Sequence, residues 1–185
     1  MSAALIIPTL RSARLVMTPL SLAHSPGMFE LWSREEVCRY SGPACDYERQ
    51  PIELPAKSPA DSDKIIDFFT RSAADGTRFR WALQTRAERA FVGIAGFNQL
   101  GPCSEYAYHL HPRFWGQGLM SEASLLAMDW LRGWPGCTQV EAFIEPANLA
   151  SVRLATRLGL QPTGEVCDGA ARYAAPLADV SQLST

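Results

Sequence analysis

The stretch His111-Pro112-Arg113-Phe114-Trp115-Gly116-Gln117-Gly118-Leu119-Met120-Ser121-Glu122-Ala123 constrains the fold more than any other part of the chain. A short alternating apolar run precedes it and an amphipathic run follows, so Gly116 and Gly118 lie in a turn that joins a strand to a helix. The first N–H groups of a helix lack intrahelical partners and stand at the positive end of its dipole. A glycine turn leading into such an end is a natural seat for a phosphate or pyrophosphate. The spacing predicts a phosphate-bearing ligand here, and the flanking segments bear on which one.

Apolar periodicity and turn residues place the remaining elements. Residues 14–20 (RLVMTPL) read as a strand. Ser25, as N-cap, and Pro26, at the first helical position, open a helix over about 26–36, with Met28, Leu31 and Trp32 on its apolar stripe. Residues 41–59 hold Pro43, Pro51, Pro55 and Pro59 and read as a long irregular loop, either a substrate-side lid or a flexible insertion. Asp61 or Ser62 caps a second helix that runs to about Ala74, where Gly76 stops it. Three strands follow, at about 79–84, 91–98 and 105–111. In the third, Tyr106, Tyr108 and Leu110 face one way, while Glu105, Ala107, His109 and His111 face the other. The helix after the glycine turn carries Leu119, Ala123, Leu126, Ala127, Trp130 and Leu131 close to the 3.6-residue period, and Gly133 and Pro135 end it. A strand at 140–144, a helix from Asn148 to Gly159, a strand at about 164–167 and a short one at about 172–174 complete the order. This predicts one α+β domain over 1–185, with a mixed sheet and a core at about 14–167.

With 185 residues, 47% of them hydrophobic and 19% charged, the chain is long enough to bury a sizeable core. A net charge of -2 supplies no broad basic footprint, so neither nucleic acid nor a membrane surface is expected as a partner. Five cysteines, Cys38, Cys45, Cys103, Cys137 and Cys167, form no C-x-x-C pair, which argues against a disulfide framework or a zinc site and for a reducing compartment. The three histidines make no cluster with acids or cysteines, so no metal is expected. Pro8 interrupts the apolar start and no charged segment precedes it, which argues against a signal peptide. No run reaches the ~18–20 apolar residues that span a bilayer. The expected location is cytoplasmic, as a monomer or homodimer.

Two common phosphate motifs fit poorly. Gly116-x-Gly118-x-x-Ser121, with Glu141 farther on, imitates a dinucleotide fingerprint, but Ser121 replaces the third glycine and the turn follows hairpin-linked strands. A P-loop needs Gly-Lys-Ser/Thr after its glycines, which is missing. Read as Arg113-x-x-Gly116-x-Gly118, the stretch instead resembles the acyl-CoA motif of the GNAT acetyltransferase superfamily. Pro112, Trp115, Gly116, Gly118, Glu122 and Ala123 match the form "P-x-x-W-G-x-G-x-x-x-E-A" of its RimJ/RimL-like branch, which acetylates ribosomal-protein N-termini and other amines. Asn148-x-x-Ser151 followed by Arg157-Leu158-Gly159-Leu160 resembles the second motif, and Trp32 with Val37 and Tyr40 resembles the first helix end. The chain departs from many members at Ala155, which stands where they carry a tyrosine acting as general acid toward the CoA thiolate.

The resemblance implies a GNAT-like α+β domain with a central mixed, mostly antiparallel sheet flanked by helices. It implies acetyl-CoA as cofactor and an amine acceptor, either a small molecule or a peptide or protein N-terminus. It places the pyrophosphate on the backbone N–H groups of Gly116, Gln117, Gly118, Leu119, Met120 and Ser121, with Arg113 as a neutralising cation and Asn148 and Ser151 as further contacts. Pantetheine would lie along the strand at 105–111, where an N–H near Leu110 or His111 would steady the oxyanion. Glu105, acting through a water, or His109 would take the proton of the acceptor ammonium. Ser151 would meet the thiolate, and Arg39, Tyr40 and Trp81 would line the acceptor pocket. A second reading, kept alive by Ala155, is a catalytically poor CoA-binding module that acts as a sensor or partner-binding protein.

Overall fold

A computed structural model describes residues 5–182. Its frame is an eight-stranded sheet with helices on both faces. The strands are β1 (Leu10–Arg11), β2 (Leu15–Pro19), β5 (Phe79–Thr85), β6 (Phe91–Gln99), β7 (Cys103–Leu110), β8 (Gln139–Ile144), β10 (Ala170–Pro176) and β9 (Gln161–Cys167), in that spatial order. Two further short strands, β3 (Ala44–Cys45) and β4 (Pro51–Ile52), pair with each other inside the proline-rich segment 41–59. The helices are α1 (Ser25–Trp32), α2 (Glu35–Cys38), α3 (Pro59–Ala74), α4 (Leu119–Arg132) and α5 (Leu149–Leu158). Every pairing in the large sheet is antiparallel except β7 with β8, which are joined through α4, as a parallel pair requires a crossover. The sheet is therefore mixed and mostly antiparallel, as expected.

Strand alternation sorts the core into two layers. Trp81 and Phe79 from β5, Phe97 from β6 and Trp130 from α4 pack together on one side, Phe79–Trp81 (centroids 4.6 Å apart) and Trp81–Trp130 edge to face and Phe97–Trp130 tilted. Ala82 and Ile94 turn to the other side, beneath Met28, Leu31 and Trp32 of α1 and Ile65 and Ile66 of α3. Each face of the sheet is thus covered by its own helices.

Three boundaries differ from the sequence expectation, each for a local reason. The helix expected over 26–36 breaks at Arg34, whose backbone is extended and whose guanidinium Nε donates to His111 Nε2 at 2.9 Å. Helix α3 begins three or four residues earlier than expected, because Ser58 and Asp61 form a reciprocal capping box with Pro59 inside it. Strands β9 and β10 are longer than their apolar pattern suggested. They form a hairpin through Asp168 and Gly169, both at positive φ, and every residue of β9 is exposed, so burial leaves no periodicity there to read.

Candidate active site

The geometry begins with a gap between β7 and β8. Their pairing covers only Cys103, Ser104 and Glu105 against Gln139, Val140 and Glu141, after which β7 runs on to Leu110 alone on that edge. On its other edge β7 stays paired to β6, and His111 N–H donates to Val92 O at 2.9 Å. The two-residue alternation of an antiparallel ladder then sends the N–H groups of Tyr108 and Leu110 toward the gap. This corrects the expectation for His111: its N–H is spent on the ladder. Its ring is committed as well, Nε2 accepting from Arg34 Nε at 2.9 Å while Nδ1 lies 3.2 Å from Arg113 N. Among the two candidates for steadying an oxyanion, the strand geometry leaves Leu110.

The gap opens onto the glycine turn. Gly116 and Gly118 both adopt left-handed backbone, at φ +73 and +76°, and Gly118 is the N-cap of α4. Glu122 is the first helical residue whose N–H is taken, by Gly118 O at 3.1 Å, so the N–H groups of Leu119, Met120 and Ser121 point out of the helix end. The side chains of Leu119 and Met120 are buried in the core, which anchors the turn while its backbone stays open. A Cβ at Gly116 would meet nothing within 4 Å, so a ligand has room to approach the backbone there.

Arginines surround this helix end. Arg113 is exposed beside it, and Arg157 of α5 donates to Ser121 Oγ at 2.9 Å. Arg14 of the segment before β2 donates through Nη1 to Gln117 O at 2.8 Å and through Nε to Glu122 at 2.7 Å. Glu122 also accepts from Ser12 Oγ and Arg14 N–H. Burial alone would raise the Glu122 carboxyl, but these bonds and the Arg14 charge outweigh it and hold it below the usual carboxylate range. The charge at Glu122, the fourth residue of α4, is thereby neutralised by Arg14 and does not oppose an anion at the turn. A group with a pyrophosphate and a long thin arm fits the combination of free N–H groups, flanking cations and open strand edge.

The two faces of β7 carry different chemistry, as its alternation predicted. On the α4 and α5 side, Tyr106 and Ser124 share a hydrogen bond of 2.9 Å, and Tyr108 hydroxyl donates to Ser151 Oγ at 2.9 Å. Asn148 caps α5 by accepting from Ser151 N–H at 3.2 Å, so Ser151 is held at the gap by its own helix end. On the α1 and α3 side, Glu105 Oε1 accepts from Asn98 Nδ2 at 2.6 Å, and Asn98 Oδ1 accepts from the buried Arg80. Arg80 lies over the Phe69 ring at 4.1 Å, and burial lowers its affinity for a proton while the Glu105 charge opposes that loss. Asn98 stands where the β6–β7 register slips, a bulge that brings its amide between the two charges.

His109 occupies the same face as Glu105 but not the same state. Its ring packs on Trp32 at 4.4 Å, and its buried Nδ1 has no partner among the described residues. Burial, with a smaller contribution from the Arg80 charge, pushes the imidazole down to about 3. It is neutral at physiological pH and too weak a base to capture the proton of an alkyl ammonium, which corrects its expected role as the alternative base. Trp81 is corrected too: it is fully buried on the opposite face among Phe79, Phe97 and Trp130, its Nε1 donating to Pro8 O at 2.9 Å, and it lines no acceptor pocket. Arg39 and Tyr40 are exposed just past the end of α2. Sequence reasoning passed over Arg14, Tyr108, Arg157 and the Arg80–Asn98 pair. Only the alternation of β7 carried a signal, since it placed Tyr108 opposite Glu105.

The model of the acetyltransferase (GNAT) domain matches residues 14–161, most of the chain. The chain belongs to the GNAT acetyltransferase family. An uncharacterized N-acetyltransferase, p20, of Bacillus licheniformis is 24% identical over 163 residues, 86% of each chain. An acetyltransferase of Agrobacterium tumefaciens has the same fold at a TM-score of 0.72, with 20% identity over 95% of this chain and 98% of that one. RimL, a ribosomal L7/L12 α-N-protein acetyltransferase in complex with coenzyme A, matches at 0.72 with 17% identity, over 91% and 98%. The GNAT domain described here is thus an acyltransferase, and its acetyl donor is acetyl-CoA. Among the described residues, no helix is long and apolar enough to cross a membrane.

Proposed function

We propose that this GNAT domain moves an acetyl group from acetyl-CoA to a primary amine, a peptide or protein N-terminus or a small amine, by direct attack with both substrates bound. Bound acetyl-CoA supplies the activated acetyl thioester. The N–H groups of Gly116, Gln117, Gly118, Leu119, Met120 and Ser121 hold its pyrophosphate, and Arg113 and Arg157 balance the charge. Leu110 N–H, aimed into the gap, steadies negative charge as it develops on the carbonyl oxygen. Glu105, steadied by Asn98 and Arg80, takes the proton of the acceptor ammonium at Oε2 through a water. Ser151 Oγ donates a hydrogen bond toward the departing sulfur. Arg39 and Tyr40, exposed just past α2, meet the acceptor.

One observation carries this reading: β7 bears an acid on one face and hydroxyls on the other, beside a strand edge left open by its parting from β8. A base and a sulfur partner are thereby separated by the strand along which the thioester lies. The α-amine of a peptide is the acceptor we favour, by analogy with the RimL neighbour. Thiol release from acetyl-CoA, measured against peptides with varied N-termini, polyamines, amino acids and aminoglycosides, tests it. Turnover on at least one amine, lowered about 100-fold or more in Glu105→Gln, is expected. Tight CoA binding without turnover on any amine would favour the CoA-binding sensor instead.

A further inference from the structure

Tyr108 has no part in the steps above, yet its hydroxyl spans from β7 to α5 and donates to Ser151 Oγ at 2.9 Å. A serine hydroxyl has one proton and two lone pairs. Tyr108 occupies a lone pair, and among the described residues the serine proton has no acceptor in the protein, whereas Ser151 N–H is already fixed on Asn148. Ser151 is partly exposed, at the place where β7 and β8 separate. Ala155 is buried and brings no polar group, so the hydroxyls near this part of the gap come from Ser151 and Tyr108.

We propose that Tyr108 is a positioning residue that, by filling the lone pair of Ser151 Oγ on the β7 side, turns the single serine proton into the gap toward the sulfur of the acetyl donor. The inference rests on the acetyl-transfer reading above. Accepting one hydrogen bond also polarises the serine O–H and strengthens the bond it donates. When the C–S bond breaks, its electron pair settles on sulfur and receives the Ser151 hydrogen bond, and Tyr108 keeps its own proton. Burial, opposed by the Ser151 bond, pushes the Tyr108 phenol up to about 12, so it remains a donor across the working range of pH.

The experiment measures the ionisation of the CoA thiol on the protein, by ultraviolet titration of the thiolate, alongside steady-state kinetics. Wild type, Tyr108→Phe, Ser151→Ala, the double variant and a protein with 3-fluorotyrosine at position 108 are compared. Tyr108→Phe and Ser151→Ala should each raise the pKa of bound CoA thiol and lower kcat about tenfold, with the KM for acetyl-CoA within about twofold of wild type. The double variant should match Ser151→Ala, because Tyr108 acts only through the serine. Fluorotyrosine, nearly isosteric and a stronger donor, should lower the thiol pKa, and it serves even if the phenylalanine variant does not fold. An unchanged thiol pKa in the fluorotyrosine protein, or additive losses in the double variant, overturns the proposal. A wild-type protein that binds no CoA overturns the donor reading itself, and the proposal with it.

Discussion

Glu122→Gln keeps the shape of the side chain and removes its charge, at the point where the CoA turn is tied to the first strands. Glu122 accepts from Ser12 Oγ, from Arg14 N–H at 3.0 Å and from Arg14 Nε at 2.7 Å. A glutamine has one acceptor oxygen for these donors and turns an NH2 against them. The glutamate side chain is 17% exposed and Arg14 49%, which sets the pair between two limits. Exposed ion pairs contribute ~0–1 kcal/mol, and removing one partner of a fully buried pair costs ~3–5 kcal/mol. The expected loss is about 2 kcal/mol, or about 4–8 °C in Tm for a chain of this length. The pH dependence has a definite sign. The folded-state carboxyl lies below its ordinary range, so its contribution is whole above the unfolded-state pKa and is lost as pH falls through the folded value. Thermal unfolding by circular dichroism should therefore show a gap between wild type and variant at pH 7 that closes on acidification from about pH 5 downward. Glu53→Gln is the control, since its ion pair with Lys57 is exposed on both sides and its loss should leave Tm in place. Arg14 also holds Gln117 O, so calorimetric CoA affinity should fall in Glu122→Gln as the turn loosens. Equal melting temperatures at pH 7, or a gap of the same size at acid pH, would refute the reasoning.

Gly118→Ala forces an L-residue into left-handed backbone and should cost ~1–2 kcal/mol in a denaturant melt, while Gly118→Asp adds a carboxylate at the anion seat and should weaken CoA binding at least about tenfold by calorimetry; undiminished affinity in the aspartate variant would rule out an anion at this turn. His109 should show no NMR titration between pH 8 and 5, since burial holds its pKa at about 3. The unfolded chain takes up that proton below about pH 6.5 and the folded one does not, so His109 erodes stability as pH drops below that value, and an imidazole signal with a midpoint near 6.5 would contradict the burial argument.

Chain-local chemistry was legible without a fold. Gly116 and Gly118 announce a turn, because only glycine takes left-handed backbone without strain, and the amphipathic run after them announces a helix end with free N–H groups. The alternation of β7 likewise put Glu105 and His109 on one face and Tyr106 and Tyr108 on the other, since the period of a strand is a property of its backbone. The mixed sheet followed from the order of elements, and its mostly antiparallel pairing from the resemblance to the GNAT fold.

What each side chain does once it is placed was decided by distant parts of the chain. Nothing near Trp81 in sequence reveals that its face meets Trp130 of α4, and nothing near His111 reveals that Val92 takes its N–H. His109 reads as a base until Trp32 and Arg80, 77 and 29 positions away, exclude water and add a positive charge. Tyr108 reads as a core aromatic until α5 brings Ser151 within 2.9 Å. Backbone conformation and periodicity arise from neighbours along the chain, so sequence alone determined the glycine turn and the two faces of β7. Protonation, burial and hydrogen-bond partners depend on solvent exclusion and charges from elements far apart in sequence, so only the packed structure decided which residues of those faces are free to act.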